Sequence, residues 1–440
     1  MSNTLIKRNS PVLEVIHDAV CTGCSCLCDD IDLTIQDNQI TAAAHACHLG
    51  EDWFLNRPAD DRPICTIESR PCKLEAGLER AAQILSQSRH PLIYGLEGAT
   101  CEAQRAAVAI ADRIGGVVDT TTSIRQGPTG ASFQGVAEVT CSLGEIANRA
   151  DLVIYWGTDP EESHPRHLSR YSLLPEGMFV PGGRQDRTAV LVDVRPTKTA
   201  AEVDHVYQIR PHSDFEALWV LRALALGIEL DAEQVHQETG IELPRWQQLM
   251  DRMKAARYGV ILFGTGLSMT HGRHLNADAL FALVRDMNAW TRFVGRAMGG
   301  PGNAAGADNV LTWQTGYPFG VNLSRGYPRF NPGEYTATEM LSRGEPDAAL
   351  IVASDPLSHL SASAAGRLSK IPLIVIDARE TDTSRRATVS FRTSAYGIHD
   401  GGTVYRMDNI PLSLRPALSS PRPSALKILT AIDQRLPPRD

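Results

Sequence analysis

With 440 residues, 43% of them hydrophobic, the chain is long enough for two or three domains with substantial cores. Its net charge of −8 is spread along the chain without a basic run, which gives no electrostatic reason to expect nucleic acid as a partner. The opening MSNTLIKRNSPVL lacks the apolar centre of a signal peptide, and no stretch reaches the roughly 18 apolar residues of a membrane span, so a cytoplasmic protein off the membrane is expected.

In chain order, residues 15–60 read as a small module: a Cys-rich loop at 21–28, then IDLTIQDNQITAAA, whose two short strands meet at the turn pair Asp37-Asn38. With its connection the module takes up 1–75. From about residue 75, apolar strands of four to six residues alternate with amphipathic helices. PLIYG at 91–95 is followed by a helix from Glu102 to Ile114, closed by Gly115-Gly116. The alternation predicts an α/β fold with parallel sheets flanked by helices. Three strand-plus-loop elements also recur in the same order. LIYGLEG at 92–98 is echoed by ILFGTG at 261–266, ADLVIYWGTDP at 150–160 by PDAALIVASDP at 346–356, and VLVDVRPTKT at 190–199 by LIVIDARETDT at 373–383. The last pair shares D-x-R-x-T-x-T. We therefore expect two Rossmann-like lobes related by an internal repeat, at 76–235 and 236–430, with a tail at 431–440. Ligands of such folds sit beyond the carboxyl ends of the strands, where the repeated polar tips fall. Two similar lobes suit a ligand with two similar halves; a duplication that left only a structural echo is the alternative.

All nine cysteines lie between Cys21 and Cys141, and this clustering in an unsecreted protein argues for metal or redox chemistry over disulfides. Cys21, Cys24 and Cys28 form C-x2-C-x3-C, and Cys47 follows the hairpin. Three local thiolates and one distant one suit a 4Fe–4S cluster. Structural zinc also takes four cysteines, though usually as paired C-x2-C units, and an emptied site is the third alternative. Cys26, Cys65, Cys72, Cys101 and Cys141 read as ordinary buried thiols. His164 and His167, in HPRH, lack an evident third partner and read as a strand-end loop rather than as metal ligands. There is no P-loop, no H-E-x-x-H, no G-x-S-x-G elbow and no H-x-H pair, and GTGLSM at 264–269 fails the dinucleotide fingerprint at its last glycine.

CTGCSCLCDDI at 21–31, with AC-x-x-G at 46–50, resembles the opening of the B subunits of formylmethanofuran dehydrogenase. The resemblance runs on through ADLVIYWGTDPEESHPRH (150–167), VDVRPTKTAAEVDH (192–205), TWQTGYPFGVNLSRGYPRFNPGE (312–334) and GGTVYRMDNIPL (401–412). It implies the first three domains of the formate dehydrogenase and DMSO reductase type, with two lobes clasping a bis-guanine-dinucleotide pterin that carries tungsten or molybdenum. On that resemblance Asp193, Arg195 and Thr197, and Asp377, Arg379 and Thr381, sit at the nucleotide ends, where a carboxylate can accept from guanine and an Arg can bind phosphate. The alternative for both triplets is a strand-end turn capped by Asp.

The chain departs from the family where the family has Ser-x-Cys-His-Gly-Pro with the metal's thiolate ligand. Here the segment is Ser123-Ile124-Arg125-Gln126-Gly127-Pro128. A guanidinium has no lone pair for a metal, so Arg125 cannot replace a thiolate, and Gln126 cannot shuttle a proton as His can. Leu49 stands where the wider superfamily often has Lys, and Gly299-Gly300-Pro301-Gly302-Asn303 aligns with the family's Arg-Gly-His-Tyr-Asn. With these departures the chain resembles the B subunits of formyltransferase/hydrolase complexes. What that implies is a non-catalytic subunit without tungsto- or molybdopterin, partnered by a zinc amidohydrolase-like A subunit, a formyltransferase and other subunits. Such a complex takes the formyl group of formyltetrahydromethanopterin to a methanofuran-like carrier and on to formate. A dehydrogenase subunit with an altered metal ligand is the other reading.

Overall fold

The computed structural model describes residues 13–56 and 62–437. Strands β1 (Glu14–Ala19), β2 (Ile31–Gln36) and β3 (Gln39–Ala44) form a small antiparallel sheet. Asp37 and Asn38 both take left-handed φ, 51° and 58°, the pairing that lets a two-residue turn follow the strand twist. Ile31, Leu33 and Ile35 alternate inward from β2, and the helix His48–Leu55 follows.

The chain then makes the hairpin β4 (Cys65–Ile67) and β5 (Arg70–Pro71), and next the parallel neighbours β6 (Pro91–Gly95) and β7 (Val117–Thr120). It crosses away to build β8 (Leu152–Trp156), β9 (Thr188–Asp193), β10 (His205–Gln208), β11 (Tyr258–Phe263) and β12 (Arg292–Ala297). It returns through β13 (Val321–Asn322) and β14 (Arg329–Phe330) to β15 (Ala348–Val352), β16 (Leu373–Asp377) and β17 (Val389–Arg392). A last hairpin pairs β18 (Gly402–Tyr405) with β19 (Pro411–Leu414).

Among the described residues this gives a five-stranded parallel sheet ordered β10-β9-β8-β11-β12 and a nine-stranded sheet ordered β14-β13-β7-β6-β15-β16-β17-β4-β5. The middle of the larger sheet, from β17 to β7, is also parallel. The central strands β6, β8, β11 and β15 are buried along their whole length, as strands covered by helices on both faces must be.

The two sheets do not divide the chain at residue 235. The expected lobe 76–235 contributes β6 and β7 to one sheet and β8, β9 and β10 to the other, and the expected lobe 236–430 is shared in the same way. A strand's periodicity reports that it is buried, not which strand it lies beside, so sequence order alone suggested consecutive lobes. The module is likewise shorter than 1–75, because β4 joins the larger sheet against β17. The expected tail at 431–440 begins inside the helix Ala425–Asp433, and Ile432 and Leu436 are buried in the core.

The strand ends make matching turns. Gly264 and Gly266 donate backbone N–H groups to the Trp156 and Gly157 carbonyls, at 3.1 and 3.0 Å. Leu96 and Gly98 do the same to Val352 and Ala353, at 2.8 and 3.2 Å. Gly157 and Ala353 both take positive φ, 55° and 48°, and a Cβ on Gly266 would lie 2.5 Å from the Gly157 oxygen. Only glycine allows that approach.

Candidate functional site

Cys21, Cys24, Cys28 and Cys47 line one small cavity, together with Leu49 and Arg166. The Cys21 N–H donates to the Cys28 carbonyl at 2.8 Å and Leu27 N–H to the Cys24 carbonyl at 3.2 Å, so the loop is closed on itself. Cys47 arrives from across the small sheet as the residue before the helix His48–Leu55. Burial raises the Cys21 thiol far above its usual value, and the other three thiols add to that rise. Burial also raises Cys28, while the charges of Arg166 and Arg170 oppose it. Asp30 holds Arg166 in a bidentate pair at 2.6 Å, and Asp29 pairs with Arg170.

The donor set is that of a four-thiolate cluster. Among the described residues, no three His, Cys, Asp or Glu side chains are placed to hold one metal ion. A tetrahedral zinc ion would draw all four sulfurs to about 2.3 Å from a single point. A cubane meets each thiolate at a different iron, and four thiols around one cavity are the donors it would take.

Asp193 and Asp377 end β9 and β16, at the carboxyl edges of the two sheets. Each folds back to accept from the backbone N–H two residues on, Arg195 at 3.2 Å and Arg379 at 2.7 Å. Burial raises both carboxyls, Asp377 to about 6. Arg379 lies over the Trp53 ring at 4.7 Å and lines a cavity of about 810 Å³. Arg195 is exposed. Thr381 Oγ1 accepts from Ser384 N–H at 3.0 Å, whereas the buried Thr197 Oγ1 has no partner among the described residues. The last threonines of the pattern have the clearest role. Asp159 accepts from the Lys198 and Thr199 N–H groups and the Thr199 hydroxyl, and Asp355 accepts from the Thr383 N–H and hydroxyl.

Arg125 closes the short helix Thr122–Arg125 after β7 and is half-buried. Its charge acts on Tyr94, Glu97 and His359, and the Tyr94 hydroxyl is 3.0 Å from His359 Nε2. Gln126 is used structurally: Nε2 donates to the Met298 carbonyl at 3.3 Å and Oε1 accepts from Thr129 at 3.0 Å. Neither side chain offers a thiolate or a proton shuttle.

Glu97 is the group that sequence reasoning missed. Its Oε1 accepts from Ser354 at 2.8 Å, its Oε2 is buried without a partner among the described residues, and burial raises the carboxyl to about 7. Its backbone carbonyl accepts from Asn303 N–H at 2.8 Å, which ties the 299–303 segment to the same centre. The available signal was an acidic residue directly after an apolar strand, in LIYGLEG. His164 is also central: its Nε2 is 3.0 Å from Ser25 Oγ on the Cys-rich loop, and burial pushes its ring down to about 4. His167 pairs with Ser172 at 3.0 Å and is pushed down to about 3.

No family model matches the chain. It is 39% identical over 417 residues to the B subunit of tungsten-containing formylmethanofuran dehydrogenase 2 of Methanocaldococcus jannaschii, covering 93% of this chain and 95% of that one. The chain belongs to the family of formylmethanofuran dehydrogenase B subunits. The protein of the same description from Methanococcus maripaludis is 38% identical over 416 residues, covering 93% and 95%. The B subunit of the formyltransferase/hydrolase complex Fhc of Methylorubrum extorquens is 27% identical over 303 residues, 66% of this chain and 74% of that one. Among solved structures, a chain of the formyltransferase/hydrolase complex of Methylorubrum extorquens, determined with methylofuran, superposes with a TM-score of 0.69 at 23% identity, over 84% of this chain and 98% of that one. Acetylene hydratase from Pelobacter acetylenicus superposes with a TM-score of 0.70 at 12% identity, over 96% of this chain and 69% of that one. At those identities the structural likenesses speak for the fold alone. At 93% of this chain, the family relationship spans both sheets.

Proposed function

We propose that the chain is a non-catalytic, structural subunit of a cytoplasmic formyltransferase/hydrolase complex. That complex would pass the formyl group of formyltetrahydromethanopterin to a methanofuran-like carrier and release it as formate. The observation that carries the reading is Arg125, a permanent cation without a lone pair at the position that family resemblance gives to the metal's thiolate. Gln126, tied up by Met298 and Thr129, supports it. The likeness to the Fhc B subunit of Methylorubrum extorquens is further support. Hydrolysis would fall to a zinc amidohydrolase-like partner and transfer to a formyltransferase partner. The Cys21, Cys24, Cys28 and Cys47 set would hold a 4Fe–4S cluster. Asp193, Arg195 and Thr197, with Asp377, Arg379 and Thr381, would be the remnant of a pterin-nucleotide site. The common strand order and the paired Asp159–Thr199 and Asp355–Thr383 contacts support descent of the two sheets from one duplicated unit.

A second reading, a tungsten- or molybdenum-pterin dehydrogenase subunit with an altered ligand, is favoured by the 39% identity to a tungsten-containing relative. Elemental analysis of the purified complex separates the two. The structural reading expects no stoichiometric tungsten or molybdenum; about one atom per chain overturns it in favour of the second. Iron at about four atoms per chain supports the cluster, and its absence removes that part alone.

A further inference from the structure

The β4–β5 hairpin turns through Glu68 and Ser69, both left-handed at φ 48° and 62°. Next to its Thr66–Pro71 pair stand Cys65 and Cys72, where Cys72 N–H donates to the Cys65 carbonyl at 3.0 Å. Their sulfurs are 3.3 Å apart. Facing residues at such a hydrogen-bonded position have Cα atoms about 5.5 Å apart. That lies within the span disulfides bridge, and closure brings the sulfurs to about 2.05 Å. Cys65 is buried beneath the helix Leu74–Gln87, where a Cβ on Gly77 would come within 2.1 Å of its sulfur, so it is held facing its partner. Cys72 is partly exposed and is the sulfur a reagent can reach. Cys65 lies in the core beneath the larger sheet and Cys72 packs against that core, whereas Cys21, Cys24 and Cys28 pack in or against a different one.

We propose that Cys65 and Cys72 form a reversible thiol–disulfide couple, oxidised by a small-molecule disulfide such as oxidised glutathione. The Cys72 thiolate attacks one glutathione sulfur, forming a mixed disulfide and releasing one reduced glutathione. Cys65 then gives up its proton and attacks the Cys72 sulfur, forming the intrachain bond and releasing the second glutathione. Two protein thiols are oxidised and one glutathione disulfide is reduced. The bond fastens the edge strand β5 to β4, which pairs with β17.

The test uses the full chain, exposed to oxidised glutathione, with remaining thiols alkylated before digestion in denaturant. Glutamyl endopeptidase cuts after Glu51, Glu68 and Glu75, so the two cysteines fall in separate fragments, 52–68 and 69–75. The proposal expects more than about half of the 69–75 fragment to be disulfide-linked to 52–68 and to be released by dithiothreitol. In Cys65→Ser, where the resolving thiol is missing, Cys72 should instead retain glutathione. Wild-type fragments that are both alkylated, or a glutathione adduct left on wild-type Cys72, overturn the proposal whether or not the variant folds.

Discussion

Glu97 and Asp119 are both acidic residues whose carboxyls burial raises to about 7, and they differ in how fully they are hydrogen-bonded. Asp119 accepts from the Thr120, Gly320 and Ala337 N–H groups and the Ser123 hydroxyl. Asp119→Asn would turn an NH2 group towards donors, and should lower stability in urea by about 1–3 kcal/mol. Glu97 has one partnered oxygen, and burial raises its carboxyl from 4.5 to about 7, with the Arg125 charge opposing. A carboxyl that holds its proton more tightly in the folded state contributes stability that is complete below its unfolded pKa and is lost as pH rises through the folded one. The window is therefore pH 4.5 to about 7. Glu97→Gln removes the ionisation, so the variant should gain on wild type across that window by up to about 3 kcal/mol. Calorimetric Tm values at a series of pH read the difference, and parallel curves would show that another group titrates. Cysteine spacing made the Cys21, Cys24, Cys28 and Cys47 set legible, because three of its members share one loop. Glu97 was not legible, since its raised carboxyl comes from burial within the fold, which Ser354 and Arg125, each distant in sequence, only partly offset.

At the scale of elements, the segments that echo each other in sequence form β8 and β9, neighbours in the five-stranded sheet, and β15 and β16, neighbours in the larger one. Their Asp-Pro tips do the same work, with Asp159 holding the turn at Thr199 and Asp355 the turn at Thr383. Each carboxylate satisfies backbone N–H and hydroxyl donors at the start of a short helical turn, a cap whose loss costs about 0.5–2 kcal/mol. Asp159→Ala and Asp355→Ala should each destabilise by that amount in denaturant titrations. With no partner in common, their effects should add in the double variant, and a large departure from additivity would mean that the two turns are coupled. Which sheet each strand would join was not legible. The chain leaves the larger sheet after β7 and completes the whole five-stranded sheet before returning at β13. Apolar runs carry no mark of that excursion, because a fully buried parallel strand looks the same in either sheet.

For the whole molecule, the proposed structural role predicts that catalysis belongs to the assembly. General acid–base or nucleophilic chemistry needs a positioned nucleophile and a base of suitable pKa. The buried His164 and His167 are pushed well below neutral pH and are engaged by serines, and Arg125 and Gln126 supply neither metal ligand nor proton relay. The purified single chain, given formylated carrier, should therefore release no formate and reduce no viologen dye, while formate release should appear on adding the partner subunits. Restoring Arg125→Cys and Gln126→His should not by itself create dye reduction, because a metal-pterin must also be supplied and held by residues around it. Dye reduction by the wild-type chain at the ordinary enzyme scale of about 1–1000 per second would refute the structural role and establish the dehydrogenase reading instead. Formate release by the chain alone, without dye reduction, would place the hydrolytic site on this chain, and the search for it would begin at Glu97 and Ser354, where a carboxyl raised to about 7 stands beside a hydroxyl.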